Sequence, residues 1–350
     1  MSTERSDGVS VIVATYNGAR FLREQLLSVA NQTVRPAQVV LADDGSSDDT
    51  LEIAASTLGS YGSHFLKVLP SGPRPLGVAG NVHRALGEVT TEHVALCDQD
   101  DVWLPERLES ALRAFSAEPA ALVTASRARV IDSTGALTGA TTYSLLSVTP
   151  REQEELESGQ VLYTLLRRNL WPGMTFTMRT DFAASLPAAP QGWLHDYWYA
   201  LTASTVGGFR VLDGDLVHYR LHDSNQLGLD SSGSWGQRLR RWKWLLGPER
   251  RRSTARLDQW HAATDALTLG AAPARQLLAE KVAFETMRLT PPDDLRAWLS
   301  RVISPATFRA YRDFDPDGTP AGAVDMLLAI GPATTGSVKA LTTLRRRPRP

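Results

Sequence analysis

The first third of the sequence alternates between short apolar runs and longer stretches in which apolar residues recur at helical spacing. The apolar runs, which we interpret as strands, are residues 9–14, 39–42, 65–69 and 94–97. Each has the length of a strand and is separated from the next by a stretch with helical periodicity. This alternation predicts an α/β fold, with a doubly wound, mostly parallel sheet and right-handed crossovers.

The fourth apolar run stops at three carboxylates in four residues, Asp98, Asp100 and Asp101. In open α/β sheets, ligands bind outside the carboxyl ends of the strands. Three acids at that edge repel one another unless a cation shares them, and hard divalent cations such as Mg²⁺ bind carboxylate and phosphate oxygens. The pattern predicts a metal–diphosphate site. The alternative is a solvated acidic loop that caps the helix beginning near Pro105.

The first two strands also end in polar, turn-forming residues. Thr15, Tyr16 and Asn17 follow the first strand, and Asp44 follows the second. Parallel strands bring their carboxyl ends to one edge of the sheet, so we expect these residues to lie beside Asp98. The plainer interpretation is that Asp44 caps the next helix and that Tyr16 packs as an ordinary aromatic residue.

The ordered set of motifs resembles the family 2 glycosyltransferases, which have the GT-A fold. The matching segments are residues 9–17, 43–48, 77–81, 98–103, 173–176, 195–198 and 219–225. Among these, Asp-Gln-Asp-Asp-Val-Trp and the ending Tyr-Arg-x-His-x-x-Asn are most similar to bacterial rhamnosyltransferase-type members. The resemblance implies an inverting, metal-dependent transfer of a sugar from a nucleoside diphosphate donor.

The resemblance also implies a divalent cation, Mg²⁺ or Mn²⁺, held by Asp98 and Asp100. His222 is a further candidate ligand, although a lone histidine is more often structural or exposed. Arg220 lies close to it in the sequence and is a candidate for binding the donor phosphates.

For the nucleoside, the resemblance implies that Asp44 accepts hydrogen bonds from the base. The backbone of Thr15, Tyr16 and Asn17 would flank the base and the ribose. Asp98 would contact the ribose or the metal ion. These residues form the predicted donor-nucleotide site.

The predicted general base is Asp196, which matches the family's base position at the start of a helix. An aspartate has a reference pKa near ~3.9, so it is ionised at neutral pH and can accept the proton of an acceptor hydroxyl. His195 stands where many members have Glu. The alternative for Asp196 is a favourable interaction with the helix dipole, and the two roles are compatible.

The character of the sequence changes after the last matching segment. Arg and Lys interleave with Trp and Leu over residues 235–252, which predicts an amphipathic helix on an anionic membrane surface. The alternatives are a basic, solvated helix docked on the domain and a contact between protomers. We predict a GT-A domain at 1–232, a helical extension at 233–340 and a basic disordered tail at 341–350.

Composition excludes several classes of protein. A net charge of −1 gives no global basic field, so we expect no nucleic-acid partner. The single cysteine, Cys97, excludes an internal disulfide. Residues 1–8 lack the apolar core of a signal peptide, and no run approaches the ~18 apolar residues of a membrane span. We therefore expect a cytoplasmic location, with peripheral contact at the inner face of the cell membrane.

Together these features predict an enzyme of cell-surface polysaccharide synthesis. We expect it to move a sugar, with dTDP-rhamnose as the candidate donor, to a saccharide or a lipid-linked saccharide. A sugar-phosphate nucleotidyltransferase would need a Gly-rich, basic loop after the first strand, where residues 14–18 contain one glycine. A dinucleotide oxidoreductase would need G-x-G-x-x-G there. A non-catalytic sugar-nucleotide-binding or scaffold protein of the same fold stays open.

Overall fold

The structure is a computed structural model, and it describes residues 5–72, 74–223, 254–267, 270–289 and 304–315. The basic segment 235–252 and the tail 341–350 lie outside the described residues. The chain divides into two compact units. The first contains Met1–Leu165, Asn169–Ser231 and Leu269–Ala271, and the second contains Leu166–Arg168, Ser232–Thr268 and Ala272–Pro350. The domain boundaries that we place at residues 232 and 340 stay predictions.

A single mixed sheet of nine strands, counted over the described residues, forms the centre of the first unit. Across the sheet the order is β3-β2-β1-β4-β8-β6-β9-β5, and β7 pairs with β6. The strands are β1 Ser6–Thr15, β2 Gln38–Asp43, β3 Leu66–Leu69, β4 Thr91–Cys97, β5 Val102–Trp103, β6 Val123–Ile131, β7 Leu137–Thr141, β8 Thr177–Arg179 and β9 Phe209–Arg220. The first four strands pair in parallel, and antiparallel pairing begins between β4 and β8. The predicted α/β fold is confirmed.

Helices connect the parallel strands and continue beyond the sheet. Those of the first 223 residues are α1 Leu22–Ala30, α2 Thr50–Leu58, α3 Gly77–Leu86, α4 Arg107–Ala117, α5 Thr142–Leu145, α6 Pro150–Glu157, α7 Val161–Arg167, α8 Thr180–Ser185 and α9 His195–Thr205. The later helices are α10 Thr254–Ala266, α11 Ala272–Leu289 and α12 Pro305–Phe314. Short 3₁₀ turns occupy Gly59–Tyr61 and Gly173–Thr175. Within the described ranges, no helix is both long enough and apolar enough to cross a membrane.

The parallel strands are buried deeply. Val11, Leu41 and Ala95, on three neighbouring strands, are fully buried and share a core with Leu22 and Leu26 of α1. Burying a leucine side chain contributes roughly 1.5–3 kcal/mol. A core of this kind fixes the positions at which β1, β2 and β4 end.

The polar, irregular sequence of residues 140–160 predicts a loop, but the structure differs. These residues contain α5 and α6, and each helix begins with a capping box. The Thr141 hydroxyl accepts from the Ser144 N–H, and the Thr149 hydroxyl accepts from the Glu152 N–H. The expectation was wrong because these caps offset the weak apolar periodicity of the segment.

The closing strands also differ from expectation. The sequence pattern predicts two strands, 209–212 and 216–220, separated by a turn at residues 213–215. The structure instead has one continuous strand, β9, which pairs in parallel with β6. The register shifts near Arg127 and absorbs the extra residues. Asp215 accepts hydrogen bonds from Arg127 and Arg129, both at 3.2 Å, so the shifted region stays tied to β6.

Candidate active site

A cleft of about 810 Å³ opens where β1, β2 and β4 end. Its far wall is formed by residues 169–173 and by the first residues of α9. The structure brings almost all of the predicted site residues together here. Those that line the cleft are Thr15, Tyr16, Asn17, Asp44, Asp98, Asp100, Asp196 and His222, whereas Arg220 lies outside the lining.

The loop after β1 is held by the loop after β2. Asn17 has a left-handed backbone, with φ of 49°, and its N–H donates to the Ser46 hydroxyl at 2.8 Å. Its side-chain oxygen accepts from the Ser47 N–H at 2.9 Å. The Thr15 hydroxyl donates to Asp43 at 2.9 Å. The Tyr16 ring is 45% exposed in the cleft and is not packed in the core.

Asp43 anchors this pair of loops from below. It is buried, and burial acts to raise its pKa, but hydrogen bonds from Ser46, Thr15 and Gly45 lower the pKa by more. The Asp43 carboxylate therefore stays ionised, and both of its oxygens can accept hydrogen bonds from these residues. Sequence analysis singled out the next residue, Asp44, and did not assign a role to Asp43.

Gln99 joins the β1 loop to the acidic loop after β4. Its Oε1 accepts from the Tyr16 N–H at 2.8 Å, and its Nε2 donates to the Tyr16 carbonyl at 3.1 Å. A Cβ on Gly18 would lie 2.3 Å from Gln99 Oε1, so this contact requires glycine at residue 18. Sequence analysis missed Gln99, although its place between two predicted metal ligands was a usable signal.

Asp44 caps a helix, but not the next one along the chain. Its two carboxylate oxygens accept from the backbone N–H groups of Leu76 and Gly77, both at 2.8 Å, at the start of α3. The same residue lines the cleft. Its contact with the nucleotide base stays a prediction.

Carboxylates crowd the end of β4. Burial, and then the neighbouring carboxylates of Asp100 and Asp196, raise the pKa of Asp98 to about 7. Asp101 is fully buried below the loop, and burial together with Asp100 and Asp98 raises its pKa well above the ordinary range. Its Oδ1 accepts from the Arg220 N–H at 2.9 Å. The cleft is therefore strongly acidic at this end.

The predicted metal ligands lie close to one another. His222 Nε2 is 3.0 Å from Asp100 Oδ2, and the imidazole packs on the Phe21 ring with 4.7 Å between centroids. Two carboxylates and an imidazole suit a divalent cation, which would offset the repulsion around Asp98. In the part of the chain that the structure describes, no group of three or more such side chains is arranged to hold a metal ion. The ligand set stays a prediction.

Arg220 supports the acidic loop from behind. Its side chain is 1% exposed, with Nε donating to the Asp100 carbonyl at 2.8 Å and Nη2 donating to Glu24 at 2.6 Å. The guanidinium also lies 4.8 Å from the centroid of the Phe21 ring. These contacts suit a residue that positions Asp100, and the direct phosphate contact that we predicted for Arg220 stays a prediction.

Asp196 lies in the first turn of α9, on the opposite wall of the cleft. Its Oδ2 accepts from the Gly173 N–H at 3.0 Å, and its Oδ1 accepts from the Tyr197 N–H at 2.5 Å. Burial raises the pKa of Asp196, and burial lowers the pKa of His195. A carboxylate with a raised pKa is a stronger base than an ordinary aspartate.

Arg107, the first residue of α4, connects the two walls. Its Nη2 donates to the carbonyls of Leu96, Met174 and Phe176, at 3.2, 2.8 and 3.0 Å. Leu96 precedes the acidic loop, and the other two carbonyls belong to the segment that holds Asp196. Burial lowers the pKa of Arg107 to about 9, and its guanidinium lies 3.5 Å from the centroid of the Trp103 ring. Sequence analysis did not identify this residue.

The sequence model of Glycosyl transferase family 2 matches residues 10–184, which is half of the chain. The chain belongs to this family. The match begins in β1 and ends in α8, so it includes the β1, β2 and β4 ends that line one wall of the cleft.

Relatives with assigned names are also glycosyltransferases. An uncharacterised glycosyltransferase of Nostoc sp. is 26% identical over 223 residues, which are 62% of this chain and 66% of that protein. The dTDP-rhamnosyl transferase RfbG of Shigella flexneri is 33% identical over 103 residues, which are 29% of this chain and 35% of RfbG. The matches thus span less than two thirds of the length of either relative.

Solved structures share the fold. TarS residues 1–349 of S. aureus, in complex with UDP-GlcNAc, has a TM-score of 0.53 and 18% sequence identity. The alignment covers 88% of this chain and 80% of that one. The same TarS fragment with UDP gives a TM-score of 0.53 at 17% identity, over 91% of this chain and 88% of that one. This likeness confirms the GT-A fold.

Proposed function

We propose that the protein is an inverting, metal-dependent glycosyltransferase that moves a sugar from a nucleoside diphosphate donor to an acceptor hydroxyl. One observation carries the proposal. Asp196 and the acidic loop line the same cleft from opposite walls, and Asp196 lies close enough to contribute to the raised pKa of Asp98. A base and a diphosphate site on facing walls suit direct displacement at the anomeric carbon.

The β1, β2 and β4 ends would bind the donor. The backbone of Thr15, Tyr16 and Asn17 would flank the base and ribose, and Asp44 would accept from the base. Asp98, Asp100 and His222 would hold Mg²⁺ or Mn²⁺, which when bound offsets the charge that develops on the leaving diphosphate. Gln99 keeps the nucleotide loop in register with the acidic loop through its paired hydrogen bonds to Tyr16.

Asp196 would act as the general base. The N–H groups of Gly173 and Tyr197 fix its carboxylate, and burial raises its pKa. It would accept the proton of the acceptor hydroxyl while the oxygen attacks the anomeric carbon and the nucleoside diphosphate leaves. Because the attack and the departure occur on opposite faces of the sugar, the configuration inverts.

The donor sugar and the acceptor follow from the family resemblance. RfbG carries the name dTDP-rhamnosyl transferase, which supports dTDP-rhamnose as the donor. The proposed acceptor is a saccharide or a lipid-linked saccharide in cell-surface polysaccharide synthesis. The proposed location is the cytoplasm, with peripheral membrane contact through residues 235–252.

The test combines binding and turnover in the unchanged protein and in Asp196→Asn. Calorimetric titration with UDP, dTDP and GDP, each with Mn²⁺ or EDTA, identifies the nucleotide. Release of that nucleotide from its sugar donor in the presence of acceptor then measures transfer. We expect Asp196→Asn to lower kcat by about 10²–10⁴-fold, because general base catalysis contributes that much.

The dissociation constant of the nucleotide separates this role from a structural one. Asp196→Asn should bind the nucleotide as the unchanged protein does, because Asp196 lies on the opposite wall. A variant that loses nucleotide binding would contradict the assignment of the base. Absence of binding by the unchanged protein to all three nucleotides would favour the scaffold interpretation.

A further inference from the structure

The lining of the cleft has an unbalanced charge. Asp44, Asp98, Asp100 and Asp196 all contribute carboxylates to it. Among the described residues that line it, Arg20 alone is an arginine or lysine. A nucleoside diphosphate carries several negative charges, so it meets repulsion from these carboxylates and attraction from the Arg20 side chain.

Arg20 is exposed, and an aromatic ring limits where its side chain lies. The guanidinium carbon lies 4.6 Å from the centroid of the Phe21 ring. The same ring contacts His222, with 4.7 Å between centroids, and His222 Nε2 is 3.0 Å from Asp100. Arg20 is thus linked through two ring contacts to the acidic loop that we propose holds the metal ion.

We propose that Arg20 binds the diphosphate of the sugar donor. This inference rests on the proposed function and adds a residue to its donor site. The planar guanidinium presents its N–H groups as a fork, which suits paired phosphate oxygens. Stacking on Phe21 leaves the edge of the guanidinium free to donate, since a cation–π contact uses only its face. Arg20 is exposed, so it would reach the diphosphate from the solvent side of the β1 loop.

The contact has a specific thermodynamic signature. Arg20 would contribute to binding of the nucleoside diphosphate and not to binding of the nucleoside alone. Its contribution would fall as salt rises, because an exposed charge is screened within ~8 Å at physiological ionic strength. A purely structural role for Arg20 would weaken both ligands alike and would not depend on salt.

The experiment compares Arg20→Ala and Arg20→Lys with the unchanged protein. The ligands are UDP, dTDP and GDP with Mn²⁺, followed by the nucleoside of whichever diphosphate binds best. Calorimetry without acceptor gives each dissociation constant. We expect Arg20→Ala to bind the diphosphate about tenfold more weakly and the nucleoside equally well. The dissociation constant of Arg20→Lys for the diphosphate should lie between those of the unchanged protein and Arg20→Ala, because lysine keeps the charge and lacks the planar fork of N–H groups.

Arg23→Ala is the matched control. Arg23 is exposed one residue into α1, reaches Ser56 at 3.5 Å and does not line the cleft. The variant removes the same charge three residues further along the chain and should leave both dissociation constants unchanged. This separates a local contact from a general change in the field of the protein.

Four outcomes would overturn the inference. Equal binding of the diphosphate by Arg20→Ala and the unchanged protein overturns it while the proposed function stands. Equal loss for diphosphate and nucleoside assigns Arg20 a structural role, and a raised KM for the acceptor with unchanged donor binding places the contact on the acceptor. Failure of the unchanged protein to bind any of the diphosphates overturns the proposed function as well.

Discussion

The two walls of the cleft are built in different ways. The donor wall, defined here as residues 15–20, 43–50 and 98–101, is held by hydrogen bonds between backbone N–H groups and side chains of neighbouring loops. The acceptor wall, defined as residues 169–173 and 194–196, depends on packing around Trp171 and on the backbone N–H groups of Gly173 and Tyr197, which fix Asp196. Trp171 itself is 1% exposed and donates to the Tyr143 hydroxyl at 3.1 Å.

This difference has a consequence for how each wall tolerates change. Every N–H from Tyr16 to Ala19 donates to a side chain, so the donor wall has a preformed shape. The acceptor wall has an apolar component instead, because its lining includes Leu170 and Leu194. We expect changes to the donor wall to alter nucleotide affinity and changes to the acceptor wall to alter turnover.

The largest effect on the donor wall should come from Asp100→Ala. It removes a proposed metal ligand and the partner of His222, so nucleotide affinity with Mn²⁺ should fall at least about 100-fold. In EDTA the variant and the unchanged protein should bind equally. Asp132→Ala, in the exposed turn between β6 and β7, is the control. Metal-dependent binding that survives Asp100→Ala would remove Asp100 from the metal site.

Gly173→Ala should change the acceptor wall and lower turnover, with a smaller effect than that of Asp100→Ala on nucleotide affinity. A Cβ at residue 173 would lie 2.9 Å from His195 Nε2 and 3.4 Å from Asp196 Cβ. Displacing the base by a fraction of an ångström should lower kcat by about 10- to 100-fold and leave the nucleotide dissociation constant unchanged. Gly59→Ala, where a Cβ meets no atom within 4 Å, is the control. A change in nucleotide binding would show that the walls are not independent.

The smallest effect should come from Gln99→Ala, which removes both hydrogen bonds to the Tyr16 backbone. Each is worth about 0.5–1.5 kcal/mol, so the nucleotide dissociation constant should rise roughly three- to tenfold. Calorimetry with Mn²⁺ measures it. Gln99→Glu should weaken binding similarly, because it cannot donate to the Tyr16 carbonyl. An unchanged constant in both variants would mean that the β1 loop keeps its shape without Gln99.

The donor wall is also the part that sequence analysis could predict. Strand ends at Thr15, Asp43 and Asp98 follow from apolar runs that stop at polar residues, and parallel pairing then places them at one edge. Asp44 and Asp98 were identified in this way. The hydrogen bonds of the β1 loop could not be predicted in this way. Their partners come from residues 46–50 and 99, and the directions of those side chains depend on the turn geometry.

The residues that support the two walls were harder to predict. Arg220 has a side chain of the kind that binds phosphate, but its place on strand β9 buries the guanidinium against Glu24 and the Asp100 carbonyl. The helices at residues 142–157 depend on two capping boxes and not on strong apolar periodicity. In the sequence, Arg107 looks like an ordinary charged residue at the start of a helix. Its burial results from the packing of β8 and β4, which local sequence does not report.

Arg107 also bears on how the two walls keep their spacing. Its buried side chain, together with the hydrogen bond from the Leu96 N–H to the Phe176 carbonyl at 3.0 Å, joins the strand that carries the acidic loop to the segment that holds the proposed base. These contacts lie outside the lining of the cleft. A substitution at Arg107 should therefore shift one wall relative to the other while every residue that lines the cleft stays the same.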